Sequence, residues 1–134
     1  MTPTFRLAPA LLVPMALAAL LAGCAVPSNA PTGLMDVSER PAEKALLAGM
    51  RAYDDAQYPQ AETLLNQALT AGLASPKDRA AAHKYLAFIY CTSNRVPACE
   101  AQFRAARADD PAFALSKSEA GHPQWGPVYQ RVQR

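Results

Sequence analysis

The sequence predicts an all-α fold in which four main helices form two hairpins, followed by a further segment at the C-terminus. From residue 42 onward, apolar residues recur at spacings of three and four, which is the period of an amphipathic helix. Proline and glycine interrupt this period between the helical stretches. No stretch alternates apolar and polar residues as a half-buried strand would. Helices alone therefore account for the domain.

The helix boundaries follow from the breaking and capping residues. Ser75 is placed to cap a helix N-terminus, with Pro76 in the first turn and Asp78 three residues after the cap. Proline also follows Asp110, where the chain restarts after the fourth helix. The predicted helices cover residues 42–56, 61–69, 77–91 and 96–108, with a short last helix after residue 127.

The third and fourth helices resemble a tetratricopeptide repeat, since eight residues lie at the signature spacing of that repeat. These are His83, Leu86, Ala87, Tyr90, Cys99, Phe103, Ala106 and Pro111. A second set falls on the same template in the first and second helices: Ala45, Ala48, Gly49, Ala52, Ala61, Leu65 and Ala68. The resemblance implies two helical hairpins, and the alternative is a generic four-helix bundle rich in alanine.

Small residues are expected where the helices of each hairpin cross. Gly49 should face Ala61, and Ala87 should face Cys99, because a larger side chain would separate the helices. Two repeats are few for a stacked array, since each unit buries its apolar face only on a neighbour. The C-terminal segment should therefore cap the array.

The capping segment contains the aromatic residue Trp125 and two breaks that combine glycine and proline, at residues 121–123 and 126–127. His122 is expected in a tight turn, and Trp125 should be mostly buried near Phe103 and Phe113. If the cap were dispensable, Trp125 would instead be a partner-binding residue.

Residues 1–23 read as an export signal. Arg6 supplies a positive charge, an apolar run covers residues 7–21, and Leu-Ala-Gly precedes Cys24. This ending resembles the lipobox of bacterial lipoproteins, in which the segment is cleaved and the cysteine acylated. The resemblance implies a covalent lipid on Cys24, and Ala25 after it favours the outer membrane, facing the periplasm. The alternative is an ordinary signal peptide with an incidental cysteine.

The remaining chain divides into a tether and a domain. Residues 24–40 contain Pro, Ser, Asn and Gly without an apolar period, so a flexible tether is predicted. Residues 41–134 form the helical domain. The full chain has 13 Lys and Arg against 11 Asp and Glu, and only Arg6 is lost with the leader, which leaves 12 against 11. This balance without a basic patch argues against a nucleic-acid partner.

Two strings in the domain are similar to a known family. Residues 83–91 (HKYLAFIYC) and 121–127 (GHPQWGP) look like the TssQ-type tetratricopeptide lipoproteins associated with type VI secretion. The resemblance covers roughly residues 44–132. It implies an accessory role at the membrane complex of the secretion machine, without a defined activity.

The residues that could carry enzyme chemistry do not form a known pattern. The chain lacks the usual zinc-protease, nucleophile-elbow and phosphate-loop motifs. His83 and Cys91 would lie about 12 Å apart along one helix, too far for proton transfer. The cysteine spacing is also wrong for a zinc site with His83 and His122. We expect no enzyme activity, no metal, no small-molecule substrate and no cofactor except the lipid.

A disulfide between Cys91 and Cys99 is predicted. Export would place both thiols in an oxidising compartment, and lipidation of Cys24 would leave an even pair. Cys91 closes the third helix and Cys99 lies one turn into the fourth, at the crossing position. The alternative is two buried, reduced thiols.

Three functions are compatible with these observations. The first is a periplasmic scaffold that binds a protein partner of the envelope, possibly a secretion component, through a groove formed by the first helix of each repeat. The second is a structural lipoprotein of outer-membrane or envelope biogenesis, and the third, least favoured, is a redox or metal protein. The groove would be lined by Glu43, Leu46, Met50, Tyr53, Lys84, Phe88 and Thr92. The alternative is that these seven residues are ordinary solvated surface and core positions and form no groove.

Overall fold

A computed structural model describes residues 40–134, and within them the fold is all-helical. The predicted leader, lipid site at Cys24 and tether up to residue 39 lie outside the described residues. The six helices are α1 (Pro41–Asp54), α2 (Tyr58–Ala71), α3 (Pro76–Thr92), α4 (Val96–Asp109), α5 (Lys117–Ala120) and α6 (Gly126–Val132). The prediction of an all-α domain is therefore confirmed.

Local sequence explains where the helices begin. The Ser75 hydroxyl accepts a hydrogen bond from the backbone N–H of Asp78, and Pro76 occupies the first turn of α3. This is the cap predicted from the sequence. The other three long helices also carry proline in the first turn, where no intrahelical N–H is needed. Gly72 ends α2 with a left-handed φ of 87°, which glycine adopts without strain.

The four long helices pack as two pairs. Helix α1 packs along α2, and α3 packs along α4, while α2 and α3 join the two pairs. In the turn of the first pair Gln57 N–H donates to Ala52 O, and in the turn of the second Arg95 N–H donates to Tyr90 O, each at 2.7 Å. Ala52 and Tyr90 are corresponding positions of the two sequence patterns. The two turns thus have the same backbone hydrogen bond at the same place.

The core consists of two clusters. The first lies between α1, α2 and α3 and contains Leu46, Leu65 and Leu86. The second contains Phe103, the two cysteines and the C-terminal residues Trp125, Val128 and Tyr129. Because the C-terminal residues complete the second cluster, this segment covers the end of the helix array as the sequence predicts.

Close approach within the first pair depends on Gly49. A Cβ atom at this position would lie 2.9 Å from Leu65 Cγ and 3.2 Å from Leu65 N. These atoms belong to Leu65, one turn along α2 from Ala61, which the sequence places opposite Gly49 and which is fully buried in the same cluster. A small residue at position 49 therefore allows the close approach of α1 and α2.

Candidate functional site

Aromatic side chains from α1 and α3 contact one another across the two helix pairs, with Phe88 buried and the tyrosines partly exposed. The Tyr53 ring meets that of Tyr85 edge to face with centroids 5.0 Å apart, and Phe88 lies 6.3 Å from Tyr53. The Lys84 ammonium lies above Tyr85 and Phe88, 5.0 and 5.7 Å from the ring centroids. We call Tyr53, Lys84, Tyr85 and Phe88 the aromatic face.

The aromatic face spans both helix pairs, because Tyr53 lies on α1 and its other members lie on α3. Tyr53 is half-buried, and burial raises the pKa of its phenol to about 12, with further contributions from Tyr58 and Tyr85. The phenol therefore stays neutral at physiological pH. It can donate a hydrogen bond to a ligand and offers an apolar ring at the same time.

The C-terminal segment covers one end of this face. Lys84 Nζ lies 2.7 Å from Glu119 Oε1, and the Trp125 indole stacks on Phe88 with centroids 4.3 Å apart. The indole N–H donates to the Glu119 carbonyl at 2.8 Å, and the His122 ring also stacks on the indole. Glu119 and Trp125 thus hold the segment to the aromatic face through charge and ring stacking.

Glu119 is well matched to this position. Burial raises the pKa of its carboxyl, but hydrogen bonds from Lys84 and Ser116 lower it by more, so the pKa falls below its usual value. The carboxylate is therefore charged at neutral pH and pairs with Lys84.

Trp125 is buried, with 8% of its surface exposed, as the sequence predicts. It shares the second core cluster with Phe103, and Phe113 packs against that cluster, as expected; its ring stacks on Phe88 and on His122. Tyr129 belongs to the same cluster: its ring lies 5.2 Å from Phe103 and 6.2 Å from Phe113. The last helix α6 covers α4, while the turn before it reaches α3.

The seven predicted groove residues do not form one open surface. Leu46 and Phe88 are only 5% and 3% exposed, so they belong to the core and cannot line an open groove. Leu46 packs with the first cluster, and Phe88 is covered by Trp125. The prediction is wrong for these two because helical spacing does not reveal which apolar side chains a later segment covers.

The other five groove residues lie in four places. Tyr53 and Lys84 belong to the aromatic face, and Met50 is half-buried against the first cluster. Glu43 pairs with Arg40 at 3.5 Å near the start of α1. Thr92 is exposed beside a shallow pocket of about 270 Å³, where its hydroxyl donates to the Phe88 carbonyl.

The cysteines and histidines occupy separate positions. The Cys91 and Cys99 sulfur atoms lie at disulfide distance, with the Cα atoms 5.2 Å apart. His83 contacts Gln102 and lies 3.3 Å from Asp109, on the side of α3 that faces α4. Among residues 40–134, His, Cys, Asp and Glu side chains form no group of three or more that could hold a metal ion.

Sequence reasoning missed Glu119 and Tyr85 as members of this site. The Ser116–Glu119 spacing is a capping-box pattern, which could have revealed helix α5, and the structure shows both of its hydrogen bonds.

No helix in the described part of the chain is long and apolar enough to span a bilayer. Comparisons with protein-family models, with characterised proteins and with solved structures found no match to this chain.

Proposed function

We propose that this chain is a lipid-anchored periplasmic scaffold that binds a protein partner of the cell envelope. It acts as an accessory of the type VI secretion membrane complex, the role implied by the resemblance of residues 83–91 and 121–127. The lipid on Cys24 holds the domain at the outer membrane, and the tether lets it reach a partner. The chain is a binding protein without catalytic activity.

The repeated turn geometry supports a tetratricopeptide-like array. The bond from Gln57 to Ala52 and that from Arg95 to Tyr90 have the same length, and they join corresponding positions of the two sequence patterns. Stacked helix pairs of this type place their first helices side by side, and that shared surface is where such scaffolds bind peptides.

The aromatic face is the observation that carries the binding proposal. Rings from both first helices meet there, and tyrosines combine apolar area with hydrogen-bonding capacity at little conformational cost. Tyr53 and Tyr85 remain partly exposed, next to the Lys84 ammonium. A partner segment could therefore contact both helix pairs at once.

A pull-down from detergent-solubilised envelope tests this function. The tagged chain should recover secretion components from cells that carry the secretion gene cluster and lose them when the cluster is deleted. Tyr53→Ala should reduce recovery several-fold, while Leu47→Ala should not, since Leu47 is exposed on α1 about 120° around the helix from Tyr53. Equal recovery with and without the cluster would contradict the secretion role and favour general envelope biogenesis.

A further inference from the structure

The segment that covers the aromatic face is a self-contained unit. We call residues 116–125 the C-terminal block. Ser116 and Glu119 cap each other: the Ser116 hydroxyl accepts from Glu119 N–H, and Glu119 Oε2 accepts from Ser116 N–H. Trp125 donates its indole N–H to the carbonyl of Glu119, six residues earlier. The block therefore satisfies these polar groups internally.

Two side chains of the block contact the aromatic face. Glu119 forms the ion pair with Lys84, and these two side chains are 28% and 22% exposed, respectively. Trp125 stacks on Phe88. Helix α5 itself packs on α6 and not on α3. Release of the block breaks the ion pair and the ring stack and takes Trp125 and Ala120 out of the second core cluster, whereas the capping bonds and the indole bond lie within the block and persist.

The aromatic face is shaped for these two groups. The Lys84 ammonium is held over two rings, so its charge is fixed in place for an incoming carboxylate. Phe88 presents a ring plane that pairs with another planar side chain, as the 22° angle to Trp125 shows. A carboxylate and an aromatic ring on one short segment match both features.

From this, we propose that the aromatic face is a binding site for a partner peptide that carries a carboxylate and an aromatic ring, and that the C-terminal block is the internal occupant which such a peptide replaces. The proposal rests on the proposed scaffold function and names the chemistry of its partner. The block competes as a tethered ligand, so partner binding requires its release.

A synthetic peptide of residues 115–126, fluorescently labelled at its N-terminus, is the probe. Its affinity is measured against the full chain in detergent by fluorescence anisotropy. The parent chain should bind it weakly because the tethered block occupies the face. Trp125→Ala should bind it at least about tenfold more tightly, since loss of the ring stack frees the face. Equal affinity for parent and variant would overturn the proposal.

A charge swap separates recognition from a general loosening of the fold. Adding Lys84→Glu to Trp125→Ala should abolish binding of the peptide, and a peptide with Glu119→Lys should restore it. Lys77→Glu is the matched control, because Lys77 is exposed on the same helix. If Lys84→Glu and Lys77→Glu weaken binding equally, Lys84 does not recognise the carboxylate and the proposal fails.

Further outcomes distinguish a folding defect, self-association and failure of the secretion role. If Trp125→Ala loses its cooperative melting, full-length Glu119→Lys replaces it: loss of the ion pair should weaken the hold of the block and raise the affinity for the peptide above that of the parent chain. A variant that dimerises as its concentration rises would identify a second copy as the occupant and overturn the partner-peptide assignment. If the chain recovers secretion components from the envelope but does not bind the peptide, only the present inference is rejected. If it binds the peptide but its recovery of secretion components does not depend on the gene cluster, only the secretion role is rejected.

Discussion

Ala56 and Asn94 share a left-handed backbone, with φ of 59° and 60°, and occupy the same position in the turns of the two helix pairs. Asparagine tolerates this conformation better than most residues, whereas for alanine it costs about 1 kcal/mol or more. The turn of the second pair therefore has a residue that suits the left-handed conformation, Asn94, whereas the turn of the first pair has a strained one, Ala56.

Ala56→Gly should raise the free energy of unfolding by about 0.5 to 1 kcal/mol, because glycine adopts a positive φ without a steric penalty. Chemical denaturation monitored by circular dichroism measures it. Ala114→Gly is the control, since Ala114 is exposed outside the helices and its φ is not positive; it should not gain stability. A loss of stability for Ala56→Gly would show that the left-handed turn is not strained.

Local sequence signals predicted the helices well because their causes are local. The Ser75 cap and the first-turn prolines act within a few residues, so they can be read directly from the sequence. Helix α5 was missed because four residues are too few to show an apolar period, even though its capping box is visible.

The candidate site was harder to predict because it depends on contacts between distant residues. Trp125 was expected to be buried, but its stacking on Phe88 depends on how the chain returns across α3. That return also buries Phe88, which helical spacing alone had assigned to an open groove. Glu119 gained its role through Lys84, 35 residues earlier in the chain.

Gly49→Ala should lower the free energy of unfolding by about 1 to 2 kcal/mol, although alanine is normally the better helix former. The added Cβ would lie 2.9 Å from Leu65 Cγ, and Leu65 is fully buried and cannot move aside. Gly121→Ala is the matched control, because the nearest atom to its Cβ would be 3.4 Å away. Greater stability of Gly49→Ala would refute the close packing of α1 on α2.

The disulfide between Cys91 and Cys99 should be present in protein exported to the periplasm. Mass spectrometry without reductant should find no thiol accessible to alkylation at either residue, and reduction should expose both. The bridge closes a short loop between α3 and α4, so the Cys91→Ala, Cys99→Ala variant should lose about 2 to 3 kcal/mol of stability. Two free thiols under non-reducing conditions would contradict the bridge.

Acid should release the C-terminal block. The pKa of Glu119 is lowered in the folded chain, so its contribution to stability is present above its ordinary pKa of 4.5 and is lost as the pH falls below it. Trp125 is the one tryptophan of the chain, and its fluorescence reports the change. We expect an emission shift below about pH 4.5.

Glu119→Gln is the control for this titration, because the amide retains the shape of the side chain and does not ionise. Any effect of His122 on the stacked indole remains in this variant. An acid-dependent shift of equal size in the parent and in Glu119→Gln would show that Glu119 does not control the block.

Export and lipid attachment at Cys24 are central to the proposed function, because they would place the domain, its partner and the two oxidised cysteines in the periplasm. Palmitate labelling with membrane fractionation tests this directly in cells that express the parent chain or Cys24→Ser. The parent should be labelled and sediment with outer membranes, whereas Cys24→Ser should be unlabelled and soluble in the periplasm. An unlabelled parent chain, or a Cys24→Ser variant that still sediments with membranes in cells without the secretion gene cluster, would contradict lipid attachment at Cys24.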